Sequence, residues 1–340
     1  MTLPVIFEEI TSPGLGAQGE ATSDAAIEGR TTWQLLYGRL RSDPVAVASI
    51  VVIILIALLA IFAPLVASLT HHPVNVANLD TGTDINGHPL SPGTHGYLLG
   101  TDNLGRDMLV RIAYGARISL LVGVAATAIA STVGVAIGLL AGYFGGWVDS
   151  VLARLMDAVL SFPYVLFALA LVAAIGPSLL LTVAVIAFFS WAATGRVVRG
   201  QVISQREKEY VEAARSLGAG DARIMFVDIL PNVLAPVIVL ATLLIPSAIV
   251  FEATLSYLGA GISPPTASWG NMLSDAQGSI GSNPFHIWWF WAFPAVFLFL
   301  TTLAFNLLGD AVRDALDPRT ERIFAMRRRK RRVQPAGDQG

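Results

Sequence analysis

A phosphate-binding loop needs Gly-Lys followed by Ser or Thr, so that backbone amides and an ammonium converge on the phosphates. The two lysines of this 340-residue sequence, Lys208 and Lys330, follow Glu207 and Arg329, so neither builds such a loop. Four of the five histidines, His71, His72, His88 and His95, crowd one segment. Their irregular spacing reads as solvent-exposed rings, and no metal site is assigned. The absence of cysteine excludes disulfides and thiolate metal sites. Glu252 is an acid set inside a long apolar run, where an ionisable group is a functional candidate. It either lines a path across the membrane or hydrogen-bonds neighbouring helix ends. No nucleophile, base or metal-ligand group converges in the apolar runs, so no catalytic residue is assigned.

The remaining chemistry is recognition. Glu212-Ala213-Ala214-Arg215-Ser216-Leu217-Gly218, continuing to Ile229-Leu230-Pro231-Asn232, is a charged interruption between apolar runs. Tyr210 to Leu217 is expected to be helical, and Gly218 is placed to end the helix in a left-handed cap. Ala219-Gly220 makes the turn. Asp221 then suits the N-cap of a second helix through Ile229, stopped by Pro231. The small side chains of Ala213 and Ala214 leave room for a partner surface.

The elements that hold these residues follow from composition. The chain is 54% hydrophobic and 14% charged, with a mean hydropathy of +0.64. Soluble domains carry about a quarter charged residues, so this is an all-α integral membrane protein. Six segments approach the roughly 20 apolar residues that cross a bilayer: Val45–Leu69, Ile118–Tyr143, Val151–Ile175, Ser178–Val198, Val233–Leu255 and Trp288–Leu308. In lipid each must be helical, because the backbone finds no water to bond. With both termini inside, all of the 22 basic residues except Arg106, Arg111 and Arg117 fall on the cytoplasmic side or its boundary. Arg154 and Asp157 form an i,i+3 pair at the inner end of the third span. The basic run 327–332 reads as a topology anchor on the anionic inner leaflet, not as a nucleic-acid patch.

The chain divides accordingly. Residues 1–37 form a cytoplasmic tail; the first 29 carry five acids and no base, lack a signal peptide's apolar core and read as disordered. Residues 38–117 hold the first span and a long external loop. That loop is expected to end in an interfacial helix from Thr101-Asp102, supported by Asp102–Arg106 and Asp107–Arg111 pairs. Residues 118–318 form a five-helix core with the inner loop 199–232, and 319–340 a basic tail. Ala126, Ala130, Gly134, Gly138 and Gly142 recur every four residues, a stripe that lets another helix approach closely. Pro163, Pro236, Pro246 and Pro294 lie within spans and could kink them.

The stretch EYVEAARSLGAGDARIMFVDILPN resembles the signature loop of ABC importer permeases. Glu212, Ala213, Ala214 and Gly218 match the motif, while Asp228 stands where the general pattern has an apolar residue. LRSDPVAVASIVVIILIALLAIFAPLVA, LLGTDNLGRDMLVRIAYGARISLLVG and FEATLSYLGAGISPPTASWGNML resemble, in order, further blocks of the dipeptide/oligopeptide branch, whose loop also ends ILPN. The resemblance covers most of residues 38–318 and implies the C-type permease of a peptide importer with a type I ABC importer permease fold in a bacterial inner membrane. It implies a heterodimer with a second permease, two ATP-binding cassette subunits that bind ATP and magnesium, an extracytoplasmic substrate-binding protein, and no cofactor in this chain. The coupling loop would then be residues 209–221, with Tyr210, Glu212, Ala213, Ala214, Leu217, Gly218 and Asp221 facing the ATPase. Glu252, Ser256 and Trp269 would shape the outer end of the translocation path. Transport would proceed by alternating access driven through that loop. The same complex type carries nickel, glutathione and other small solutes; a carrier working alone is a further reading, but internal repeats with broken helices are not evident.

Overall fold

A computed structural model describes residues 32–280 and 287–316. The first 31 residues and the tail from 317, including the basic run 327–332, lie outside the described residues. Every regular element described is helical, with three isolated bridges in the 83–107 stretch as the sole extended pairing.

Helix α1 (Thr32–Ser42) occupies the end of the stretch read as a tail. Its position is fixed from a distance: the Arg39 guanidinium donates to the Ala315 carbonyl at 2.7 Å. That carbonyl lies 276 positions along the chain, near the end of the described residues, so the bond ties α1 to the far end of the described chain. Helix α2 (Pro44–Ile61) starts at Asp43, whose side chain accepts from the Val45 amide. The first apolar run then breaks at Phe62 and resumes as α3 (Ala63–Thr70). Pro64, in the first turn of α3, has no N–H and its ring would clash with the Ala60 carbonyl of a continuous helix.

The helix expected from Thr101 starts only at Met108, as the first turns of the second span. After a single turn, α4 (Leu79–Gly82), the chain is non-helical up to Asp107. Asp102 Oδ1 accepts from the amides of Leu104 and Arg106, both at 2.9 Å. This closed turn competes with helix through the local hydrogen bonding that aspartate offers. Asp102 does pair with Arg106 at 2.6 Å, but across a turn. Asp107 instead caps helix α5 by accepting from Leu109 at 2.8 Å and binds His72 Nδ1 at 2.7 Å. Its expected partner Arg111 lies against Asp102 and Asp275, each at 3.3 Å.

Helix α5 (Met108–Phe144) therefore begins ten residues before the expected second span and runs unbroken for 37 residues, about 55 Å. Helices α6 (Gly146–Ser161) and α7 (Tyr164–Ile175) divide the third apolar segment, with a 78° bend at Phe162-Pro163. Helix α8 (Leu179–Arg206), capped by the Ser178 hydroxyl, outruns the expected fourth span into the charged loop. Short helices α9 (Glu209–Ser216) and α10 (Asp221–Arg223) follow, then a π-helical segment Ile224–Ile229. Helix α11 (Leu230–Tyr257) continues from it, and α12 (Trp269–Ile280) and α13 (Trp288–Leu316) complete the bundle. Among the described residues, five helical units are long and apolar enough to cross a membrane: α2, α5, α8, the continuous Asp221–Tyr257 unit and α13. The bent α6–α7 pair would make a sixth.

The seam between α5 and α8 organises the bundle. A Cβ at Gly134 would stand 2.7 Å from Thr194 Cβ, and one at Gly142 2.7 Å from Val202 Cβ. At Gly138 it would stand 2.6 Å from the Gly195 carbonyl oxygen, a backbone atom that cannot rotate away. The ion pairs Asp149–Arg199 and Asp157–Arg196 tie α6 to α8; Asp157 thus looks across to α8 and not along its own helix to Arg154. Gly138→Val is expected to separate this seam and destabilise the bundle by about 1–3 kcal/mol. A thermal unfolding midpoint equal to that of the unmodified chain would contradict the seam's tightness.

Candidate functional site

The charged interruption folds as an anchored projection. In α9, Glu209 and Glu212 occupy the first turn, where acids complement the helix dipole. Val211 faces inward and is fully buried among Val198, Val202, Ile224 and Ile229. Glu212 and Ala213 face solvent, Ala214 is half-buried, and Leu217 at the tip is 88% exposed. Gly218 has φ +81°, the left-handed conformation that ends a helix. Its amide donates to the Arg215 carbonyl and the Ala219 amide to the Ala214 carbonyl, both at 3.0 Å. Together they close a Schellman motif, and Ala214 and Ala219 rest on the same apolar cluster that holds Val211.

Two expectations are corrected here. Gly220, not Asp221, is the N-cap of the second helix. Asp221 stands in its first turn, and its Oδ1 accepts from the Tyr143 hydroxyl at 2.6 Å. Nor does Pro231 stop the helix, which passes from Asp221 to Tyr257. Proline lacks an N–H and clashes with the carbonyl four residues earlier, here Val227. That carbonyl lies in the π segment, whose i→i+5 bonds (Leu230 amide to Met225 carbonyl) widen the helix and admit the ring. Beside it, the Tyr210 hydroxyl donates to Gln205 Oε1 at 3.0 Å. Burial raises its pKa above the usual phenol range, and the nearby Asp228 acts in the same direction.

At the opposite end of α5, Glu252 is completely buried. It accepts from Ser119 at 3.0 Å and from Ser256 at 2.8 Å, which places its carboxylate between α5 and its own helix. Trp269, at the start of α12, is equally buried; its indole nitrogen donates to the Ile112 carbonyl at 3.2 Å, and its ring lies on Gly115. Glu252, Ser256 and Trp269 are thus brought together inside the chain. A groove of about 330 Å³ lies elsewhere on α11, lined by Tyr164, Ser247, Val250, Phe251, Thr254 and Asn306. Val250 and Thr254 stand two residues from Glu252, roughly 200° around the helix. Sequence reasoning missed Ser119, Tyr143 and these groove residues. The faces of an almost wholly apolar helix carry little pattern from which an orientation could be read.

Residues 134–322 match the family of binding-protein-dependent transport system inner membrane components, and residues 31–89 the N-terminal TM domain of oligopeptide transport permease C. The oligopeptide transport system permease protein OppC of Escherichia coli K12 is 43% identical over 293 residues, covering 86% of this chain and 93% of that protein. The dipeptide transport system permease protein DppC of Alkalihalophilus pseudofirmus is 41% identical, covering 84% and 90%. The glutathione transport system permease protein GsiD of Pectobacterium atrosepticum is 38% identical, covering 85% and 92%. A chain of the inward-facing MetNI methionine ABC transporter aligns at 16% identity with a TM-score of 0.49, covering 62% of this chain and 98% of that one.

Proposed function

This chain belongs to the family of binding-protein-dependent transport system inner membrane components, and from that premise we propose that it is the C-type permease of an ATP-driven importer of oligopeptides or dipeptides. It is a multi-pass inner membrane protein and a permease component, not the ATPase. In this reading the six spans adopt a type I importer arrangement with both termini cytoplasmic and α6–α7 as the third span. A second permease completes the path, two ATP-binding cassette subunits bind ATP with magnesium, and an external binding protein delivers cargo.

The observation that carries this reading is the projection at 209–221, held at its base by Val211 and exposed at Leu217. An anchored base with an apolar tip suits a surface that transmits force from a partner. Tyr210, Glu212, Ala213, Ala214, Leu217, Gly218 and Asp221 form that surface and its support. ATP binding would close the ATPases and move the projection, and the spans would open outward to take cargo from the binding protein. Glu252, Ser256 and Trp269 act as architecture at the outer end, fixing how α5, α11 and α12 meet. The Tyr164–Asn306 groove is this chain's share of the path wall.

Reconstitution of the full transporter in vesicles tests this. Peptide uptake is expected to require ATP, the ATPase subunits and the binding protein, and the purified chain alone is expected to hydrolyse no ATP. Uptake by the permeases alone would overturn the reading in favour of a stand-alone carrier. The likeness to a glutathione permease supports a second cargo, so unlabelled glutathione belongs in the competition assay. Preferential displacement of peptide by glutathione would reassign the substrate.

A further inference from the structure

The projection reaches the bundle by three routes. Two are covalent: α8 leads through Glu207 and Lys208 into α9, and the chain runs from Asp221 through the π segment into α11. The third crosses to α5 through Tyr143, the penultimate residue of that helix. The Tyr143 ring is buried with Leu139, Val198, Val211 and Ile224. Its hydroxyl donates to Asp221 Oδ1 at 2.6 Å, and its carbonyl accepts from the Arg206 guanidinium at 3.0 Å. A hydroxyl bonded to a carboxylate is among the stronger side-chain links. From this point α5 continues without a break to the segment where Ser119 meets Glu252 and the Ile112 carbonyl meets Trp269. The seam at Gly134, Gly138 and Gly142 makes α8 follow α5, because closely packed backbones cannot slide independently.

We propose that the Tyr143 hydroxyl, held by Asp221, is the direct polar joint between the 209–221 projection and α5, making Tyr143 a positioning residue for coupled transport. The inference rests on the reading of that projection as the coupling segment. Covalent continuity acts directly on α8 and α11 and reaches α5 only through packing against α8; the Tyr143–Asp221 bond ties α5 to the second helix of the projection directly, so that all three helices respond to one input. Two helices that frame Glu252 from either side would then shift together at the far end.

Tyr143→Phe removes the hydroxyl and keeps the ring in its apolar cluster. In vesicles holding the full transporter, with radiolabelled trialanine as probe, the variant is expected to assemble and hydrolyse ATP at the basal rate. Uptake per ATP hydrolysed should fall by about tenfold, the effect of losing one hydrogen bond to a charged acceptor. Asp221→Asn, which keeps an acceptor oxygen without the charge, should fall between the two. Uptake per ATP equal to wild type in Tyr143→Phe would overturn the proposal. So would a parallel loss of assembly, basal hydrolysis and uptake, which marks a purely structural residue. Uptake by the wild-type permeases without ATPase subunits is a distinguishable failure, since it removes the coupling reading itself and the joint with it.

Discussion

Trp269→Ala should cost the folded chain about 3–5 kcal/mol, the range for truncating a large buried aromatic. The side chain is fully buried, and its ring lies so close to Gly115 that a Cβ there would stand 2.9 Å from it. Its indole also donates to the Ile112 carbonyl and sits 6.3 Å from the Phe297 ring. Deletion therefore opens a cavity where α5, α12 and α13 meet and removes a hydrogen bond at the same point. The cavity cannot collapse easily, because two of its walls are long helices fixed by other packing. Trp269→Phe, which keeps most of the ring, should lose distinctly less. Thermal unfolding of the purified chain in detergent measures both. An alanine variant as stable as the parent would show that Trp269 does not support the bundle.

Gly218→Pro should leave the bundle folded and abolish ATP-driven uptake. Gly218 holds φ at +81°, whereas proline is fixed near −65°. The substitution also deletes the amide that donates to the Arg215 carbonyl and disfavours the backbone of Leu217, which lies near the helical region at φ −80° and ψ 4°. The Schellman closure cannot form, so Leu217 loses its place at the tip. Val211 and the spans are untouched, and the unfolding midpoint should move little. Gly218→Ala, costing about 1 kcal/mol for a left-handed non-glycine residue, should retain part of the activity. Copurification with the ATPase subunits and uptake in vesicles report the effect; full uptake by the proline variant would refute the role of this turn.

Both expectations concern positions singled out from sequence, but for different reasons. Gly218 was legible because its signal is local: a glycine directly after a helical stretch suits a conformation that other residues resist. The register of Gly134, Gly138 and Gly142 was legible for a similar reason, since a four-residue repeat of small residues has one geometric use in a helix. At Asp102, local reasoning chose the wrong competitor. The spacing Asp102–Arg106 suits a helix equally well, but its carboxylate closes a turn and meets Arg106 and Arg111, which also face Asp275, 173 positions along the chain. No pattern within one segment could report that partner. Pro231 shows the same limit: a helix stop by propensity became a passage because the π segment opened the helix around it.

By itself the sequence determined that the chain is a helical membrane protein with long apolar runs, and where the charged projection interrupts them. These are consequences of the solvent: lipid leaves an unpaired backbone group nothing to bond, so every apolar run must be helical. Only the tertiary structure decided which way each helix turns its faces. It turned Glu252 toward Ser119 and Ser256, put the groove on the other side of α11, and set Tyr143 against Asp221. In lipid, apolar side chains gain little by choosing one face over another. Rotation is therefore set by close packing and by a few polar atoms that must find each other across helices far apart in sequence.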